Sequence, residues 1–236
     1  MRLNPADRLL LAFSAGGGAV LVWLALVEAP SFAGRSGFSA PLAWKLFFFH
    51  VPIAFVTFVA FGIAVLHSTL HFLRPHPTRD ERAQAAVEVG VLFAALTLAT
   101  GMIWGRAEWG VAWRWDDAKL VVVLLMFLLY AAYLVLRREI ADPDLRGRVA
   151  AVYAIGSFLT VPLAWFAQRI WLSYHPVVFG ASEGDAGVVT AGILPILLLG
   201  IAVFLCVALF LYRWRRSLLH LWAELDELET AEAVPA

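Results

Sequence analysis

Between residues 104 and 119 the chain reads Trp104-Gly105-Arg106-Ala107-Glu108-Trp109-Gly110-Val111-Ala112-Trp113-Arg114-Trp115-Asp116-Asp117-Ala118-Lys119, which places four of its ten tryptophans in one short segment. Indole faces interrupted by glycines, at which backbone or a flat ligand can come close, suit a large planar hydrophobic molecule with a polar edge. Arg106, Arg114 and Lys119 are placed to meet acidic groups at that edge, and Asp116 to orient one of them or to cap the helix that follows. Trp109 and Trp113 are four apart and share a face if the segment is helical. On composition alone the same segment reads equally well as an interfacial loop anchored by its tryptophans.

Histidines form the second constellation. His50 lies in Phe47-Phe48-Phe49-His50-Val51-Pro52 and His175 in Trp171-Leu172-Ser173-Tyr174-His175-Pro176. An ionisable side chain at membrane depth is costly and points to a site, and two neutral imidazoles from different helices can hold the iron of a flat macrocycle from above and below. Taken singly, each also reads as a satisfied structural histidine. His67 and His71, spaced i, i+4, have the register of a chelating pair but no evident third ligand. His76 and His220 complete the six.

The elements that must position these groups are membrane helices. Of 236 residues, 62% are hydrophobic and only 15% charged, against about 25% charged in a soluble domain, which excludes a soluble enzyme. Six apolar runs approach the roughly 20 residues a bilayer requires: 9–27, 46–66, 89–104, 120–136, 149–167 and 188–212. The sequence predicts an all-α integral membrane protein, one domain of six transmembrane helices. Its third and fourth runs are short, so the loop 104–119 between them should fold back against the membrane surface. Val27-Glu28-Ala29 mimics a signal-peptide cleavage site, but the first apolar run is too long for one and is read as a retained helix. Gly16-Gly17-Gly18 permits close helix approach, and Pro52, Pro162 and Pro195 imply kinks.

Of the eighteen Lys and Arg, twelve fall in the N-terminus, the second and fourth loops and the tail 217–236, and six in the other three loops. Both termini are therefore expected in the cytoplasm and the tryptophan-rich loop outside. Eight tryptophans then gather on the external side and only Trp214 and Trp222 on the inner one, which anchoring alone does not predict. Formal net charge is zero, so nothing favours nucleic acid. Lone Cys206 excludes an internal disulfide, and without C-x-x-C-H the chain attaches no c-type haem to itself. The runs carry no Arg, Lys, Asp or Glu away from their ends, so no polar route crosses the bilayer; a charged cargo is expected from a partner or laterally from the lipid. The helical spacing of Leu218, Leu221, Trp222, Leu225 and Leu228 predicts that the tail is a helix lying on the membrane or on a neighbour.

The segment Trp104-Gly105-x-x-x-Trp109-Gly110-x-x-Trp113-x-Trp115-Asp116 resembles the tryptophan-rich WWD signature of haem-handling proteins, and the six-span length most resembles the cytochrome c maturation protein C (CcmC) family. That resemblance implies non-covalent, transient binding of haem b at the periplasmic face of a bacterial inner membrane. His50 and His175 would be the axial ligands, with Trp104, Gly105, Trp109, Gly110, Trp113, Trp115 and Asp116 against the macrocycle. It also implies presentation of haem to the periplasmic chaperone CcmE, and as neighbours the small membrane protein CcmD and the ABC transporter CcmA/CcmB. Nothing in it requires a bond-making group of this chain, so an enzyme is not expected. The family commonly continues Trp-Asp-Ala-Arg or Trp-Asp-Pro, whereas here Asp116 is followed by Asp117-Ala118-Lys119, which shifts the positive residue by one, so the resemblance assigns Lys119 no haem contact. Related CcmF and CcsA-type proteins are longer and use further histidines deep in the membrane, which these six runs lack. Two rival classes are a bis-histidine membrane cytochrome and a small-solute transporter subunit; the latter class carries polar groups at the midplane, absent here.

Overall fold

The computed structural model describes residues 3–31, 40, 42–171, 173–176 and 192–233. Among them, α1 (Pro5–Trp23) runs on as a π-helical turn over Leu24–Glu28, and a 3-10 turn over Ala43–Leu46 leads into α2 (Phe47–Leu73). Then follow α3 (Pro77–Trp109), α4 (Ala118–Glu139), α5 (Pro143–Ser157), α6 (Thr160–Ile170) and α7 (Leu194–Ala233). Six stretches are long and apolar enough to cross a membrane: Pro5–Glu28, Ala43–Leu73, Pro77–Trp109, Ala118–Glu139, Pro143–Ile170 and Leu194–Leu225. These contain the first five expected runs and 194–212 of the sixth; 192–193 form a turn before the helix, and 188–191 lie outside the described residues, as do 234–236 of the tail. Helix α7 carries straight through Leu218, Leu221, Trp222, Leu225 and Leu228 to Ala233.

The third helix is far longer than its apolar run. It begins at Pro77, whose missing N–H is harmless in a first turn, under a cap in which His76 accepts from Thr78 N–H. It ends at Trp109, where Gly110 takes the left-handed conformation (φ 75°) that only glycine adopts without strain. Hydropathy missed its first three turns because Arg79, Asp80, Glu81, Arg82 and Glu88 lie there. The expected 104–119 loop is therefore shorter, since its first six residues are helical.

The prolines act differently from one another. The fifth span breaks between Ser157 and Thr160: Pro162 has no N–H for the Phe158 carbonyl, which accepts from Val161 N–H at 2.9 Å instead, while Thr160 Oγ1 donates to Ser157 O at 2.6 Å. Pro52 sits inside an uninterrupted α2, and Pro195 falls in the first turn of α7, where it interrupts no helix.

Small residues set the packing. In the central cluster Ala64, Ala86, Ala94, Ala150, Ala154 and Ala164 let α2 to α6 approach closely around Phe61 and Tyr130, whose rings stack at 3.6 Å. A Cβ on Gly90 would run into the Phe61 ring, and one on Gly17 would lie 2.9 Å from Val203, so α1 closes on α7 at the second glycine of its triplet. At the arginine-rich end Arg137 of α4 donates to Asp80 of α3 (2.7 and 2.6 Å), Arg213 of α7 to Asp7 of α1 (2.7 Å), and Arg215 of α7 to Glu88 of α3.

Candidate functional site

His50 occupies the first turn of α2, and α3 fixes its ring. His50 Nδ1 lies 2.8 Å from Thr100 Oγ1, and the Thr100 hydroxyl proton is already donated to Leu96 O at 2.7 Å. The threonine oxygen is thus an acceptor, the imidazole carries its proton on Nδ1, and Nε2 keeps a free lone pair. Gly101 makes room for this: a Cβ there would stand 3.2 Å from His50 Cε1.

His175 reaches the same chemical state by another route. Its Nδ1 is 3.0 Å from Pro176 O, which can only accept, so Nδ1 is protonated and Nε2 is again free. Its backbone N–H donates to Ser173 Oγ at 3.1 Å. Ser173 in turn donates to the Asp117 carboxylate (2.9 Å to the nearer oxygen), which also accepts Tyr174 N–H at 2.7 Å and Leu120 N–H at 3.1 Å. Asp117 is 0% exposed, and these donors are what make a buried carboxylate tolerable. The cap of α4 is therefore Asp117, which corrects the expectation placed on Asp116. Asp116 is exposed and paired with Arg114 (2.7 Å), whose guanidinium holds its carboxyl below the usual range.

The centroids of the two imidazoles stand 6.2 Å apart, with the ring planes at 39°. Two imidazoles trans on one metal, with bonds of about 2.0–2.1 Å and about 1.1 Å from ring nitrogen to centroid, stand roughly 6.2–6.4 Å apart. Among the described residues no group of three or more His, Cys, Asp or Glu could hold a metal. A pair with nothing further to offer fits an iron whose other positions are filled by a macrocycle. His67 and His71 gain no third ligand. Burial, reinforced by Lys119 and His50, holds the His175 pKa well below the ordinary histidine value, so it is neutral at pH 7.

Both histidines line a cavity between α2, α3, α4 and α6 with about 1090 Å³ of unfilled space, its open mouth included. Phe58 and Trp165, edge to face at 5.8 Å, add to its apolar lining. The tryptophans divide. Trp104, 6.1 Å from the His175 ring and perpendicular to Trp109 at 5.1 Å, lines the cavity with Trp109 and Trp113. Trp115 is 75% exposed, with its ring edge to face with Trp113 at 5.6 Å. Trp109 and Trp113 do not share a helix face, because the helix ends between them; both reach the cavity through the turn at Gly110. Gly105 admits the folded-back Trp109 ring, which a Cβ would approach to 3.1 Å. Lys119 and Arg169 bring cations to the lining, with Lys119 Nζ 2.5 Å from Gln168 Oε1. Trp113 Nε1 is buried there without a partner among the described residues, a donor awaiting an acceptor.

Thr100, Asp117, Ser173 and Gln168 escaped the sequence reading. Asp117 carried a usable signal, an Asp placed directly before an apolar helical run. Thr100 carried none, because its partner is fifty positions away.

A family model described as heme exporter protein C matches residues 4–228. The heme exporter protein C of Bradyrhizobium diazoefficiens is 33% identical over 177 residues, covering 75% of this chain and 67% of that protein. A putative cytochrome c biosynthesis ccmC-like mitochondrial protein of Marchantia polymorpha is 27% identical over 192 residues (81% and 78%), and the heme exporter protein C of Escherichia coli K12 is 23% identical over 133 (56% and 54%).

Proposed function

Because the chain belongs to the heme exporter protein C family, we propose that it takes up haem b non-covalently in the cavity between α2, α3, α4 and α6, with the iron between His50 Nε2 and His175 Nε2. As a multi-pass membrane protein with a role in haem handling for cytochrome c biogenesis, it then presents this cargo at the periplasmic face of the inner membrane to the chaperone CcmE. CcmD and the CcmA/CcmB transporter are its membrane neighbours in this reading. The asymmetry of Lys and Arg supports the assignment of faces.

The observation that carries the reading is the imidazole pair: 6.2 Å apart, each with Nδ1 committed to an acceptor and Nε2 free. A hydrogen bond on the far ring nitrogen fixes the orientation of such a ring and raises its basicity as a ligand. Trp104 and Trp109 offer faces to the ring, and Lys119, Arg169 and the unpartnered Trp113 N–H offer cations and a donor to its propionates. No residue of the chain needs to make or break a covalent bond. The chain holds the imidazoles neutral, excludes water with indole rings, and leaves the mouth open to a recipient.

The test is absorption spectroscopy of the protein purified from haem-replete cells, beside His50→Ala and His175→Ala. A Soret band that shifts or disappears in both variants is expected. A wild type without the band, or variants that leave it unchanged, would remove the axial pair. Haem passing to added CcmE separates a donor from an electron carrier, which would keep its haem and only change redox state.

A further inference from the structure

Three of the six buried side-chain polar atoms without a partner among the described residues lie at the arginine-rich end: His67 Nδ1 and Ser68 Oγ of α2, and Arg82 Nε of α3. Helices α2, α3 and α7 meet there. Tyr212 of α7 packs on the cluster holding Ala64 of α2 and Ala86 of α3. One helical turn further toward the same end of each helix stand Ser68, Arg82 and Arg216. Arg82 and Arg216 both act electrostatically on the His67 ring and on Tyr212, and Arg79 adds to the field at His67. Every charged group acting on either ring is a cation.

This differs from the rest of that end. Arg137, Arg213 and Arg215 each have a carboxylate partner, and Arg79 donates to Leu70 O and Arg74 O. Among the described residues Arg82 and Arg216 have neither. Arg82 Nε and His67 Nδ1 are both shut off from solvent and without a partner among the described residues. One ligand satisfies all of this: an anion with several acceptor oxygens, to which guanidinium groups bind in a fork. Exposed Leu66 and Leu70 lie beside His67 on α2, an apolar strip at the depth where acyl chains meet headgroups.

We infer that α2, α3 and α7 form a phosphate site at the arginine-rich end, built on Arg82, Arg216 and His67, which holds the phosphate of an anionic lipid headgroup. Basic pockets between membrane helices bind such headgroups. Free inorganic phosphate has the same chemistry and is the alternative source.

The test uses the delipidated full chain in detergent, with native mass spectrometry counting bound phosphatidylglycerol and thermal melting recorded with inorganic phosphate. Wild type should retain phosphatidylglycerol at least tenfold better than Arg82→Gln/Arg216→Gln. Arg148→Gln, which alters an exposed arginine of α5, should match wild type, and Arg216→Lys, which keeps the charge but loses the fork, should fall between wild type and the double variant. If phosphate stabilises wild type but not the double variant while lipid retention is equal, the site stands and its ligand is free phosphate. Equal response of wild type and double variant to both probes overturns the site. Should the double variant not fold, Arg216→Gln alone carries the same comparison.

Discussion

Ser173 donates its hydroxyl proton to the carboxylate of Asp117, 2.9 Å away and fifty-six positions earlier in the chain. Since Asp117 caps α4 and Ser173 accepts the His175 N–H, one buried carboxylate sets both the start of a helix and the place of a candidate ligand. Asp117→Asn should therefore lower stability by roughly 1–3 kcal/mol, from a weakened cap and donors left unpaired, and shift the haem spectrum. Asp116→Asn should change neither. Thermal melting and absorption spectra of the two variants decide this; equal effects would show that the signature's first aspartate shares the role.

Thr100 makes a similar prediction at the other ligand. Thr100→Val keeps the shape and removes the acceptor for His50 Nδ1–H, and loss of such a bond costs about 10–100-fold in metal affinity. Thr100→Ser should restore it. Haem titration of the haem-free protein measures the difference.

The division of the tryptophans is testable by truncation. Trp104→Ala opens the wall beside His175 and should weaken haem retention, whereas Trp115→Ala removes a ring already 75% exposed and should leave retention unchanged. Haem per protein after size-exclusion chromatography is the readout.

Gly90→Ala should destabilise the bundle without altering the bound-haem spectrum, because the added methyl meets the Phe61 ring in the central cluster away from the imidazoles. Overpacking of this kind costs about 1–3 kcal/mol. A lower melting temperature with an unchanged Soret position is the expected pair of results.

Burial keeps His175 neutral to a pH well below the ordinary histidine range. In that window the unfolded chain binds more protons than the folded one at this residue, so its contribution to stability is present at pH 7 and declines as pH falls below about 6.5. Histidine NMR of the haem-free protein should show the His175 imidazole still neutral where an exposed histidine has taken up its proton; a normal titration at His175 would refute this.

Hydropathy alone made the six membrane helices legible, and residue type with spacing singled out His50, His175 and the tryptophan-rich segment, because an imidazole at membrane depth and a run of tryptophans are rare enough to be noticed. The extent of α3 was not, since its early turns are charged and are held in the helix by partners such as Arg137 and Arg215 that are distant in the chain. Nor was the choice between Asp116 and Asp117: the two share a residue type and adjacent positions, and only the direction of the chain into α4 decides which carboxylate turns inward.

The two imidazoles are anchored to unequal supports. Thr100 and Gly101 bind His50 to the face of a 33-residue helix, while His175 rests on side-chain bonds to Ser173 and, through it, Asp117. One candidate ligand belongs to a wall and the other to a latch. In the proposed function, a haem held between them would be let go most cheaply at Ser173, with the wall keeping its shape for the next load.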